Sequence, residues 1–203
     1  MKLRRLLLGA GAAVAGAALW WRRNPSACPY GQRFWIEAPH PLITRDRLRE
    51  ILAPSPGERI LEIGPGTGYY TLDVADWVKP DGRLDILDLQ QEMLDHTMGR
   101  AAERGTDNVT PTQADATAMP YEDRIFDAAY LVTVLGEIPD QEAALRELSR
   151  VLKPGGRLII GELLGDPHYV RLAPMRLRAS GAELRYERRA GTALGYFARF
   201  AKS

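Results

Sequence analysis

One cysteine, Cys28, is present among 203 residues. That excludes an internal disulfide and any metal site built from several cysteines. An excess of either charge is also lacking. Lysine and arginine number 27 against 26 acids. The first 23 residues hold five of the basic residues (Lys2, Arg4, Arg5, Arg22 and Arg23) and no acid, which leaves 22 basic and 26 acidic residues, a net of −4, in the remaining 180. A mildly acidic body offers no electrostatic footprint for nucleic acid as the main partner. Long apolar runs are scarce. The longest uncharged stretch, Leu6 to Trp21, is sixteen residues rich in alanine and glycine and bracketed by arginines. As a helix it would extend about 24 Å, short of a hydrocarbon core of about 30 Å. Three readings stay open for it: an anchor that spans or lies on a membrane, a secretory or twin-arginine signal, or a disordered start. No repeat, catalytic triad or metal-ligand cluster stands out.

What the chain does have is a dense glycine stretch, Arg59 to Thr71, reading RILEIGPGTGYYT. An apolar run, Ile60 to Ile63, reads as a buried strand. Gly64, Gly66 and Gly68 follow at alternate positions, and a helical pattern begins after them. Such a turn brings bare backbone and helix-opening amides against a nucleotide or nucleoside. The dinucleotide fingerprint places its third glycine five positions after the first. Here it comes four after, so the spacing disfavours a dinucleotide without naming a ligand.

Ahead of this stretch, Asn24 to Pro41 holds four prolines and three aromatics, a linker expected to pack onto the domain. Thr44 caps an expected helix to about Leu52, either a lid over a pocket or a cover for the sheet. The domain division expected is 1–23 apolar anchor or signal-like segment, 24–53 linker and lid-like helix, and 54–203 the main domain. Beyond Thr71, helix and strand patterns alternate: strands over 83–88, 108–112, 126–132 and 157–163, and helices over 69–78, 91–104, 141–152 and 170–179. Pro154-Gly155-Gly156 is expected to end the helix before the fifth strand. Two closing strands, 183–189 and 194–201, read as an antiparallel edge hairpin. The pattern predicts an α/β doubly wound, Rossmann-like sheet, mainly parallel, with helices on both faces.

Ligands in such sheets bind at the carboxyl ends of strands where the order reverses. Four positions should therefore cluster: Glu62 to Gly68 after the first strand, Asp88 ending the second, Asp115-Ala116 after the third, and Leu131 to Gly136 after the fourth. An acid at Asp88 can accept from both ribose hydroxyls, and one at Asp115 from an exocyclic amino group of adenine. Each has a plainer reading: Glu62 needs a donor if buried, Asp88 suits a strand-ending turn, and Asp115 suits a cap.

With these residues in this order, the chain from about Ala53 to its carboxyl end resembles the class I S-adenosylmethionine-dependent methyltransferases, nearest the branch of ubiquinone and menaquinone biosynthesis. The segments that carry the resemblance are ILEIGPGTGYYT (60–71), LDLQQEML (87–94), QADATAMPYEDRIFDAAYLV (113–132) and LSRVLKPGGRLIIGEL (148–163). It implies a seven-stranded sheet of order 3-2-1-4-5-7-6 with strand 7 antiparallel. It implies that S-adenosyl-L-methionine is the cofactor, with Glu62, Gly64, Gly66 and Gly68 at its methionine end, Asp88 on the ribose, Leu89 beside the adenine, Asp115 and Ala116 against the adenine, and Thr133 on the floor. The expected reaction is methyl transfer to a small acceptor, lipophilic molecules included. Glu137, His168 and Tyr169 stand where an acceptor would approach, with Tyr70 and His40 as weaker candidates; each suits a surface or packing role ahead of a catalytic one, and none is singled out as a general base. The carboxyl-terminal arginines read first as a solvated helix and hairpin face; the alternative is that some meet an anionic membrane surface beside the anchor, and the location expected is the cytoplasmic face of a membrane, or the cytoplasm if residues 6–21 do not insert. Two alternatives stand beside this reading: a nicotinamide-dependent oxidoreductase, which the glycine spacing and Asp115-Ala116 disfavour, and a membrane-tethered cofactor-binding protein without catalysis.

Overall fold

The computed structural model describes residues 24–32 and 40–203. The apolar segment 6–21 and part of the linker lie outside the described residues. Among those described, no helix is long and apolar enough to cross a membrane.

The sheet is seven-stranded, in the order β3-β2-β1-β4-β5-β7-β6. Its strands are β1 (Arg59–Ile63), β2 (Arg83–Asp88), β3 (Val109–Gln113), β4 (Phe126–Val132), β5 (Leu152–Leu163), β6 (Leu184–Thr192) and β7 (Gly195–Lys202). The first five pair in parallel, and β7 runs antiparallel to both β5 and β6. This is the order that the resemblance implied. The chain order reverses between β1 and β4. There Ile63 is in register with Leu87 on one side and Leu131 on the other, so the ends of β1, β2 and β4 form one ledge.

Among the described residues, one α-helix precedes the first strand, α1 (Arg45–Leu52), and four connect strands: α2 (Thr71–Trp77), α3 (Gln91–Arg104), α4 (Gln141–Val151) and α5 (Leu172–Gly181). The side chain of Thr44 caps α1 by accepting from the amide of Arg47, and that of Asp140 caps α4 by accepting from the amide of Ala143. β-strand alternation divides the core between the two faces. Leu61, Ala129 and Leu131 pack with Leu145 and Leu148 of α4. Ile60, Ala128 and Tyr130 pack with α1 and α2. Glu62 shares the parity of Ile60, which turns it toward α2.

Helix α1 packs against β5, β6 and β7. Its carboxyl end is held by Arg157, whose guanidinium donates to the carbonyls of Leu52 and Ala53 and to both carboxylate oxygens of Glu58, at 2.9 and 2.5 Å. At its other end, Arg45 Nε donates to the carbonyl of Tyr69, just past the glycines, at 2.9 Å.

Three differences from the sequence reading have physical causes. Residues 152–156 do not form a turn between helix and strand; β5 begins at Leu152, directly after α4, and its pairing with β4 is irregular between Phe126 and Ala128. That irregularity accommodates Pro154, which cannot donate to a regular ladder. Helix α2 is shorter than its apolar pattern, because Tyr69 and Tyr70 remain in the turn. Helix α5 starts two residues late, because the amide of Val170 donates to Glu162 instead of to a helix.

Candidate functional site

The ledge places the expected residues at the strand ends and the turns that follow them. Glu62 is 2% exposed. Thr71, the first residue of α2, donates from its hydroxyl to Glu62 Oε2 at 2.6 Å, so the buried acid has the donor it needs. Burial nevertheless raises its carboxyl to about 7, against which the Thr71 hydrogen bond acts, while the charge of Asp88 adds to the rise. The buried hydroxyl of Tyr130 lies close enough to influence Glu62 but completes no well-formed hydrogen bond.

The glycines have the geometry that their spacing predicted. Gly64, Gly66 and Gly68 have φ of 66°, 56° and 76°, the left-handed region costly for other residues. Gly64 also needs its missing side chain: a Cβ there would fall 2.5 Å from a methyl of Val134 in the turn after β4. The loop is therefore fitted against the expected floor. Thr97 of α3 supports it from below by donating to the carbonyl of Gly66 at 3.0 Å, and Arg100 donates to that of Thr67 at 2.6 Å. The Thr67 hydroxyl is buried without a partner.

Asp88, at the end of β2, is largely buried. Burial raises its carboxyl, and the amides of Gln90, Leu89 and Gly66 hold it down; the amide of Gln90 lies 2.9 Å from Oδ1. Asp88 thus joins the end of β2 to the glycine loop. Beside it, Leu89 is 58% exposed, an apolar platform at the rim. Ala116 is buried, whereas Asp115 is exposed, and its Oδ1 accepts from both the amide and the hydroxyl of Thr117 at 2.8 and 2.7 Å. These bonds hold the Asp115 carboxyl below its ordinary value and match the capping alternative. Thr133 has φ of 56°, donates its amide to the carbonyl of Gly161 at 2.8 Å, and so turns the chain sharply off β4.

Two groups of contacts were not legible in the sequence. Residues 28–30 cross the ledge. Gln90, after β2, donates to the carbonyl of Cys28 at 2.9 Å and accepts from the amide of Tyr30 at 3.2 Å. The amide of Cys28 donates to Glu137, after β4, at 3.3 Å. The proline-aromatic linker signalled packing but not its place. The second group surrounds the acids Glu137, after β4, and Glu162, near the end of β5. Glu137 is pushed up to about 8, first by burial and then by Asp166. Glu162 is 1% exposed, is raised by burial, and has one oxygen without a partner. His168 and Tyr169 belong to the same loop. Tyr70 and His40 lie elsewhere, packed with Tyr69 beside the start of α1, where Tyr70 donates to the carbonyl of Ile43. No cluster of three metal-ligating side chains is found among the described residues.

This arrangement suits a ligand with a cation at one end, hydroxyls in the middle and a planar ring at the other. Glu62 is a buried acid with one hydrogen-bond donor, Thr71, Asp88 is a buried acid held by amides at the glycine loop, the loop carries an orphan hydroxyl at Thr67, and Leu89 offers a flat apolar rim. A family model described as the ubiE/COQ5 methyltransferase family matches residues 39–167. The chain belongs to that family. Its cofactor is S-adenosylmethionine, which the cleft fits. The chain is 34% identical over 120 residues to the ubiquinone/menaquinone biosynthesis C-methyltransferase UbiE of Shewanella frigidimarina, covering 59% of this chain and 48% of that one. It is 39% identical over 114 residues to the enzyme of the same name from Ectopseudomonas mendocina, covering 56% and 44%. The chain thus spans about half the length of these curated relatives. Among solved structures, a SAM-dependent methyltransferase from Aquifex aeolicus shares the fold at a TM-score of 0.81 and 19% identity, over 87% of this chain and all of that one. The [4+2]-cyclase SpnF is similar at a TM-score of 0.65 and 26% identity, over 72% and 57%.

Proposed function

We propose that this member of the family transfers a methyl group from S-adenosylmethionine to carbon of a small, lipophilic acceptor of the quinol type. The observation that carries the reading is the joined cradle of Glu62, the three left-handed glycines and Asp88, which lies wholly within the family match over residues 39–167. In this reading Glu62 and the loop hold the methionine end, Asp88 the ribose, Leu89, Asp115 and Ala116 the adenine, and Thr133 the floor. When bound, the cofactor supplies an activated methyl group on a sulfonium. The chain's part is to align the acceptor in line with that methyl and to exclude water. The strap at residues 28–30 serves the second task. The curated relatives' names supply the acceptor class, and the apolar segment 6–21 agrees with a lipophilic substrate by offering a tether. The domain division at residues 23 and 53 and a position facing the cytoplasm, where the cofactor is made, belong to the same proposal.

The test is transfer of labelled methyl from S-adenosylmethionine to short-chain benzohydroquinones and naphthohydroquinones. Transfer to ring carbon supports the reading. The likeness to a [4+2]-cyclase favours one second reading, a protein that binds the cofactor and transfers nothing. It predicts tight cofactor binding with no labelled product from any acceptor.

A further inference from the structure

The short turn after β4 connects two parts of the molecule. At Val134 it abuts Gly64 of the cofactor loop. Two residues on, at Gly136, it meets the loop after β5 so closely that a Cβ would fall 1.8 Å from the carbonyl oxygen of His168. Glu137 therefore stands at a seam, with the cofactor cradle on one side and the acceptor-side loop on the other. It is half-buried, and its Oε2 accepts one hydrogen bond, from the Cys28 amide of the strap, at 3.3 Å.

The charged groups around it are mostly acids. Asp88 faces it from the end of β2, and Asp166 from the loop after β5. The charge of Glu137 in turn adds to the rise of the Glu162 carboxyl in β5, which keeps a buried oxygen without a partner. His168 donates its amide to Asp166 at 2.6 Å, and Cys28 supplies its amide from the strap. An anionic acceptor would meet repulsion here, whereas a neutral hydroxyl would meet an acceptor oxygen.

We propose that Glu137 is the catalytic base that takes the hydroxyl proton of a neutral, phenol-type methyl acceptor. The inference rests on the methyltransferase reading and deepens it. In the step, the acceptor O–H bond breaks and the proton passes to a carboxylate oxygen of Glu137. The electron pair left on oxygen is delocalised to a ring carbon, which forms the new C–C bond to the methyl as the methyl–sulfur bond breaks and its pair goes to sulfur. The ring carbon then loses its hydrogen to solvent as a proton, and Glu137 returns its proton to the ring oxygen. One proton is released overall. The raised carboxyl matches this task, since a base near the working pH combines availability with strength. It must be ionised to act, so the rate rises as pH increases through about 8.

The test compares the full chain with Glu137→Gln and Glu137→Asp, using a short-chain 2-alkyl-1,4-naphthohydroquinone under anaerobic conditions, with S-adenosylmethionine affinity measured calorimetrically on each. The expected result is a fall in kcat of about a hundredfold or more for Glu137→Gln, loss of the alkaline rise, cofactor affinity within about twofold of the parent, and partial recovery with Glu137→Asp. Retained cofactor affinity shows that the variants fold. Transfer by Glu137→Gln with its pH profile unchanged overturns the role, whether the rate is preserved or lowered, because a residue that merely anchors the strap would give that result. No transfer by the parent chain with cofactor bound overturns the acceptor class and this role together. Absence of cofactor binding by the parent overturns the methyltransferase reading itself.

Discussion

Replacing Glu62 by glutamine separates what the residue costs the fold from what it does for the ligand. The carboxyl is 2% exposed and is raised from 4.5 to about 7. Its fold therefore favours the protonated form. Below the unfolded value near 4.5 both states are protonated and no penalty exists. Between 4.5 and about 7 the native state binds more protons than the unfolded state, so stability falls as pH rises; above about 7 the penalty is complete. At about 1.4 kcal/mol per pH unit, the full penalty is roughly 3 kcal/mol. Glutamine keeps the shape and an oxygen to accept from Thr71, 2.6 Å away in the parent, but carries no charge to desolvate. Denaturant unfolding at about pH 8 is therefore expected to find Glu62→Gln more stable than the parent by up to roughly 3 kcal/mol, and the gap is expected to close near pH 4.5. In the same variant, affinity for S-adenosylmethionine should fall at least about tenfold, because a charged partner for the cofactor's cationic end is lost. Taking the difference between the two chains cancels the raised acids Glu137, Glu162 and Asp166, whereas Asp88, whose charge acts on Glu62, enters the gap through that coupling. An unchanged gap across the pH range would refute the assignment of the penalty to Glu62.

Asp88→Ala should weaken cofactor binding by about 1–3 kcal/mol, since it removes a buried acceptor that the amides of the loop already hold in place; calorimetric titration measures it, and unchanged affinity would remove Asp88 from the site. Arg157→Met should destabilise the fold by about 1–3 kcal/mol, because it leaves the carbonyls at the end of α1 without their donor and Glu58 with only the Ser55 amide, and the loss should appear in the denaturation midpoint while the cofactor affinity of the folded protein stays constant.

The architecture was readable because the determinants are local and repeated. Alternating periods mark strand and helix, and the strand ends carry a glycine, an acid and a hydroxyl at Gly64, Asp88 and Thr133. Boundaries slipped where a tertiary bond outcompeted a local preference, as when the Val170 amide turned to Glu162 and delayed α5. The glycine-loop part of the candidate cofactor site was legible for the same reason that it is compact: Glu62 to Leu89 lie at the ends of β1 and β2 within thirty positions of sequence. On the acceptor side the positions Glu137, His168 and Tyr169 were legible, but their contacts were not. Glu137 takes its environment from Cys28, 109 residues earlier, and from Asp166 after another strand. No periodicity reports such a meeting. Asp115 shows the opposite limit: its type and position suited a ligand, yet the structure also gives its carboxylate to Thr117.

The Arg59–Thr71 stretch remains the centre of the account, and direct titration of the full chain tests it. S-adenosylmethionine and its demethylated product should bind with one site per chain, whereas NAD(H) should not bind. Binding of NAD(H) without S-adenosylmethionine, or binding of neither, would contradict the assignment of the cleft between β1, β2 and β4.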